Sequence, residues 1–169
     1  MPPDRSPDAG PPDARVPVLA GTALLDPAPA FDRVTALVRR LLDVPVALVS
    51  FADRDRQFVV SQNGLAERGG RARETPLVHA LAQHVVEREA PLVVEDASHD
   101  PAFHGDLAAG DLEGVGYLGV PVRGPSGVVL GSLCAVTSEP RAWRPGDVET
   151  MESLGAIVET EVALRMALR

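Results

Sequence analysis

Lysine is missing from this chain. All 16 basic residues are arginine, set against 24 carboxylates, for a formal charge of −8. An acidic surface with no basic run repels phosphate backbones, which argues against nucleic acid as a direct partner. The arginine bias itself carries no functional weight, because carboxylate pairing and a genome rich in G and C would both produce it. Cysteine is nearly missing too. With Cys134 alone, the chain can build neither an internal disulfide nor a zinc site of several thiolates, and it suits a reducing cytoplasm. No apolar run reaches the ~20 residues that span a bilayer. The stretch "VPVLAGTALL" after Arg15 is short, holds a proline and follows an acidic leader, so it does not read as a secretion signal. No internal repeat is visible.

What is present suits one domain. A chain of 169 residues, 45% apolar and 24% charged, can bury one sizeable core, and a second would be cramped. Residues 1–29 hold eight of the 16 prolines, scattered among Asp, Ala and Gly, which predicts a flexible leader ahead of a domain over residues 30–169. Phe31, Val34, Leu37, Val38, Leu41 and Leu42 recur at helical spacing and predict a first helix from Ala30 to Leu42. "VPVALVSFA" is apolar on both alternating faces, as in a central strand, and "QFVVSQ" pairs with it across the turn "DRDR". Thr75 before Pro76 has the pattern of an N-cap followed by proline at the first helical position. That predicts a second helix running to Arg88, with Leu77, Ala80, Leu81 and Val85 inward. "PLVVED", "YLGVPV" and "GVVLGSLCAVT" read as three further strands. From Pro145 onward, Val148, Met151, Leu154, Val158, Val162 and Met166 form one stripe on a long final helix. The stripe reaches past what one small sheet can cover, so its end is expected to pair with a second copy.

The densest chemistry lies in "EDASHDPAFH", Glu95 to His104. His99, Asp100 and His104 are its best metal-ligand set, but their spacings of one and four do not match the usual ligand pairs on a regular element, and no cysteine is near. A turn is the more economical reading. Asp100 before Pro101 repeats the cap-then-proline pattern, which would start a short turn through Ala102 to His104 with Phe103 as its anchor. His104 would then face either a pocket or water, and a histidine there would make ligand binding depend on pH.

The element order is helix, strand, strand, helix, strand, loop, strand, strand, helix. Hairpins outnumber crossovers, so the expected class is α+β, an antiparallel sheet with helices packed on it. In "DRDRQFVVSQNG", "PLVVEDASHDPAF", "GYLGVPV" and "GVVLGSLCAV", in that order, the chain resembles a GAF domain, the small-molecule sensing module of bacterial signalling proteins and cyclic-nucleotide phosphodiesterases. The resemblance covers Ala30 to Arg165. It implies a central sheet of five or six strands, the first and last helices together on one face, and a pocket on the other face roofed by short helices and loops. By the family's pocket location, Phe58, His79, Asp96, Phe103, His104 and Tyr117 are the expected ligand-binding residues. The resemblance also implies a homodimer through the terminal helices, which would signal to a partner protein.

Other family chemistries fit less well. Bilin attachment needs a thiol beside the family histidine, whereas "TPLVHA" places Pro76, Leu77 and Val78 before His79. Methionine sulfoxide reduction needs an attacking and a resolving cysteine, and one thiol cannot close that cycle. No Ser-His-Asp set is visible, and Glu95 and Asp96 at a strand end diverge rather than converge. Haem would need only one of His79, His84, His99 or His104. The family's cyclic-GMP signature is absent, although Arg71 and Arg73 lie near the start of the second helix. The expected function is therefore a cytoplasmic, non-enzymatic sensor or regulatory domain. An interaction module without a ligand is the alternative, and a haem sensor or reductase the remaining one.

Overall fold

The computed structural model describes residues 24, 26, 28–53, 56–64, 74–100 and 115–168. The elements run α1 (Pro29–Leu42), β1 (Val46–Asp53), β2 (Arg56–Asn63), α2 (Glu74–Arg88), β3 (Leu92–Val94), a single 3-10 turn (Ala97–His99), β4 (Gly116–Arg123), β5 (Val129–Thr137) and α3 (Pro145–Ala167). The sheet has five strands in the order β2-β1-β5-β4-β3. Every neighbouring pair is antiparallel. This is the α+β architecture that the element order implied. No helix among the described residues is long and apolar enough to cross a membrane.

β5 lies at the centre and is buried along its whole length. That burial explains why its sequence is continuously apolar rather than alternating. Gly131 is required there, because a Cβ would drive into the carbonyl oxygen of Ser50 on β1.

The terminal helices cover one face. Phe31, Val34, Val38 and Leu42 of α1, with Met151, Leu154, Val158 and Val162 of α3, meet Val49, Phe51, Leu118, Val120, Val122 and Leu133 from the sheet in one continuous core. Phe31 and Phe51 pack edge-to-face at 5.9 Å, a geometry worth about 0.5–1.5 kcal/mol beyond simple burial. Leu24 is fully buried in the same core, as is Ala28, so the packed unit includes residues assigned above to the leader. A polar seam ties α1 to the edge strand β2: Ser61 donates to Asp32 Oδ1 at 2.6 Å, and the Thr35 hydroxyl lies 3.1 Å from that of Ser61.

α2 covers the opposite face. Leu81 and Val85 pack on Val46, Leu48, Leu92, Val94, Tyr117, Cys134 and Val136. Two local expectations are corrected. α2 starts at Glu74, so Thr75 lies inside the first turn rather than capping it. Pro76 is tolerated there because N–H groups of a first turn have no helical acceptor anyway. A 3-10 turn at residues 97–99 precedes the expected one: Asp100 closes it, and its cap is Asp96, whose side chain accepts from the Ser98 N–H. Met166 does not overhang: it is partly buried against the terminal-helix core. The large apolar residues left exposed on α3 are Ile157 and Leu164, with Leu168 just beyond its end.

Candidate functional site

Period-two alternation along β4 turns Tyr117 and Gly119 to the α2 face. Gly119 stands opposite Cys134 on β5, and Tyr117 opposite Val136. The phenol ring leans over Gly119, where a Cβ would come within 2.6 Å of Tyr117 Cε1, 2.7 Å of its hydroxyl oxygen and 2.8 Å of Val85 Cγ2. The glycine therefore makes room for the tyrosine, and helix, ring and strand close on one another. Tyr117 is fully buried, yet its hydroxyl has no hydrogen-bond partner. Cys134 and Ser132 are its polar neighbours from β5, near enough to bear on its ionisation, and Ser132 shares its hydroxyl with Ser50 at 3.3 Å. Burial first, and then the adjacent thiol, push the ionisation of Tyr117 well above the usual phenol range. Burial likewise pushes the Cys134 thiol up to about 12, so it stays protonated and non-nucleophilic at neutral pH.

His79, on α2, is half-buried, and its Nε2 has no partner. Burial lowers its proton affinity below the ordinary histidine value of 6.5, which keeps the ring neutral at physiological pH. A neutral ring with an unpaired nitrogen can accept or donate one hydrogen bond, depending on its tautomer. Gln57 Oε1 is the third buried side-chain atom without a partner among the described residues. Gln57 stands opposite Ala52. Buried polar atoms are nearly always paired, so each orphan needs a cause.

The remaining expected site residues separate. Phe58 is paired in register with Phe51, and directly opposed residues share a face, which places Phe58 on the side of the terminal helices. Asp96 has both carboxylate oxygens engaged: Oδ1 accepts from the Ser98 N–H at 3.0 Å and hydroxyl at 2.6 Å, and Oδ2 meets His99 Nδ1 at 2.9 Å. The Ser98 hydroxyl is the main reason this carboxyl titrates below its usual range, with the Ser98 N–H and His99 adding to it. Asp96 thus organises a turn at the rim of an open groove of about 550 Å³, lined also by Val93, Glu95, His99, Asp100 and Pro140. Phe103 and His104 lie outside the described residues, as does the anchored turn expected around them. Among the described residues no three His, Cys, Asp or Glu side chains gather as a metal site.

The structure therefore brings together Tyr117 with Cys134, Gly119 and Ser132, of which the sequence reading had singled out only the tyrosine. The signal was there in the alternation of "GYLGVPV" against "GSLCAV", but pairing Gly119 with Cys134 requires the register between the two strands.

Comparison with known proteins agrees with this geometry. The chain is 28% identical over 134 residues to a cyclic di-GMP phosphodiesterase of Pseudomonas aeruginosa, covering 78% of this chain but only 22% of that protein. Among solved structures, a GAF domain of Synechocystis in its photoproduct state superposes with a TM-score of 0.64 at 18% identity, over 82% of this chain and 94% of that one. The free methionine-R-sulfoxide reductase of Neisseria meningitidis superposes with a TM-score of 0.57 at 15% identity, over 78% and 75%. Likeness at these identities speaks for the fold alone. The sequence profile of the GAF domain matches residues 26–162, from just ahead of α1 to near the end of α3. With the sheet order, the helix placement and that match in agreement, the chain belongs to the GAF domain family.

Proposed function

We propose that this domain is a non-enzymatic sensor that takes a small ligand on the α2 face of its sheet and signals through its terminal helices. The observation that carries the reading is that β4 and the helix above it each hold a buried polar atom without a partner, Tyr117 Oη and His79 Nε2. An unsatisfied buried group costs about 1–3 kcal/mol, a standing penalty that a ligand's hydrogen bonds would remove. The ligand that fits such a face is largely apolar, with one or two hydrogen-bonding groups. The reading extends no phosphodiesterase or reductase reaction to this chain. Its one thiol is buried and held protonated, whereas a reductase cycle needs an attacking and a resolving sulfur. The reducing cytoplasm is the compartment in which such a thiol belongs.

Native mass spectrometry of the freshly isolated protein tests this. The expected result is an added mass that denaturation releases and that His79→Leu, still folded by circular dichroism, no longer retains. A wild-type protein with no added mass, whose melting temperature no compound in a metabolite screen shifts, would leave an interaction module without a ligand. The unpaired His79 nitrogen also supports a second reading, since it could serve as an axial ligand to haem. An absorption spectrum of the same preparation decides that reading, because a haem protein shows an intense band near the blue edge of the visible.

The proposed output surface is the outer side of the terminal helices, and its proposed partner is a second copy of the chain. Ser153, Ala156, Ile157, Thr160 and Leu164 line the side of α3 opposite its buried stripe, and all five are exposed and uncharged. Ile157 and Leu164 are the large apolar side chains on that side, and an exposed apolar patch is a surface that association can cover. Leu37 and Leu41 add exposed apolar surface on α1, and a shallow cleft of about 220 Å³ lies between α1 and α3. Light scattering at micromolar concentration should give a dimer that Ile157→Ser with Leu164→Ser dissociates. A monomeric wild type would exclude this arrangement.

A further inference from the structure

The helix on the ligand face and the helix on the output face lie on opposite sides of the sheet, so a signal needs a physical connection between them. Arg123, the last residue of β4, makes hydrogen bonds to both sides. Its Nη2 donates to the carbonyl of Glu89 at 2.8 Å, immediately beyond the end of α2. Its Nη1 donates to the Gly127 carbonyl at 3.2 Å in the β4–β5 turn. Its backbone N–H donates to Glu159 Oε1 on α3 at 2.9 Å.

The local backbone explains why this residue can do so. The β4–β5 register shifts between Val122 and Arg123: Val122 pairs with Gly131 and Arg123 with Val129, so Leu130 of β5 is the extra residue and the ladder is irregular beside Arg123. The N–H of Arg123 goes to the Glu159 carboxylate. Glu89 has a left-handed backbone at φ 53°, costly for a residue with a Cβ, and its N–H returns to Val85 to close the helix. A guanidinium beyond that end also opposes the negative pole of α2. The end of α2 is thus held in a strained conformation by a side chain whose own backbone is held by α3.

We propose that Arg123 is a coupling residue that converts displacement of α2 on its ligand face into displacement of α3. This rests on the sensor reading for its biological meaning, while the coupling itself is a property of the protein without ligand. When α2 moves away from the sheet, Glu89 draws the guanidinium with it, the end of β4 shifts, and the bond to Glu159 lengthens. Coupling energies are reciprocal, so loosening Glu159 must loosen the end of α2 as well.

Hydrogen exchange on the full chain, without ligand, tests this in a double-mutant cycle. Glu159→Gln keeps the shape of the side chain and weakens the acceptor. It is expected to speed exchange of the amides at residues 85–89 by at least about twofold in the wild-type background, the lower range for residues that interact. In the Arg123→Ala background the same substitution should leave those amides unchanged. The amides of β5 serve as the reference for overall stability, and Arg123→Lys replaces Arg123→Ala as the background if β5 loses protection. A purely structural role for Arg123 predicts that Glu159→Gln changes residues 85–89 equally in both backgrounds, or in neither, and either outcome overturns the proposal. Because no ligand enters the measurement, its failure is separate from a failure of the mass-spectrometric test.

Discussion

The two faces of the sheet are built to different standards. The face under α1 and α3 is a continuous apolar core in which Phe31, Phe51, Met151 and Val158 are fully buried. Its polar groups are paired where they occur, as Thr35, Ser61 and Asp32 show. The face under α2 carries a tyrosine, a cysteine, a glycine and two serines among its aliphatic residues, and it contains orphaned polar atoms. The first arrangement maximises stability. The second gives up some stability to place hydrogen-bonding groups in a dry interior, where a bond is electrostatically strong. The two faces thus share one sheet and differ in which side chains each is given.

Substitutions can break this contrast, beginning with the largest effect. Phe31→Ala should cost about 3–5 kcal/mol by leaving a cavity in the scaffold face. Urea titration checks it, and a loss below 2 kcal/mol would mean that face is not the stabilising one. Next comes the alkaline limb. In the unfolded chain the Cys134 thiol ionises near 9.0, and in the folded protein not until about 12. The thiol's contribution is therefore complete below pH 9 and is lost as pH rises toward 12, by about 1.4 kcal/mol per pH unit for a single group. Cys134→Ala should flatten that limb in melts recorded from pH 8 to 11, and the raised phenol of Tyr117 accounts for part of what remains.

Smaller in size but sharper in meaning, Tyr117→Phe should stabilise the ligand-free protein by about 1 kcal/mol, since it deletes an unpaired buried hydroxyl and little else. A destabilised variant in the same urea titration would show that the hydroxyl is paired in solution. The smallest effect belongs to His79. Its depressed proton affinity means that the unfolded chain takes up a proton at pH 6.5 before the folded one does, so stability is present above that value and declines as pH falls through it. His79→Leu should remove that slope between pH 6.5 and 5, and an unchanged slope would place its source elsewhere.

Much of this was legible from single elements. The stripe from Val148 to Met166 is the inward face of α3, and the hairpin of β1 and β2 falls where "DRDR" placed it. Positions that depend on two elements were less so. Phe58 looked like a pocket aromatic until its pairing with Phe51 put it on the other side, and the register that did so contains an irregularity between Val49 and Ser50. One extra residue there reverses which side chains face which side of the sheet, and composition does not announce it. Asp96 and Asp100 are both plausible caps by residue type. That Asp96 caps a turn over residues 97–99 depends on where β3 stops, at Val94.

By itself the amino-acid order determined the periodicities, and through them the elements, the fold class and the family, because burying an apolar face leaves few alternatives at this chain length. Tertiary structure decided what no periodicity encodes: that Gly119 vacates space for Tyr117, that Cys134 is sealed beneath α2, and that Arg123 reaches both helices around the end of β4. Those are contacts between residues far apart in the chain, and their geometry exists only once strand register and helix placement are set together.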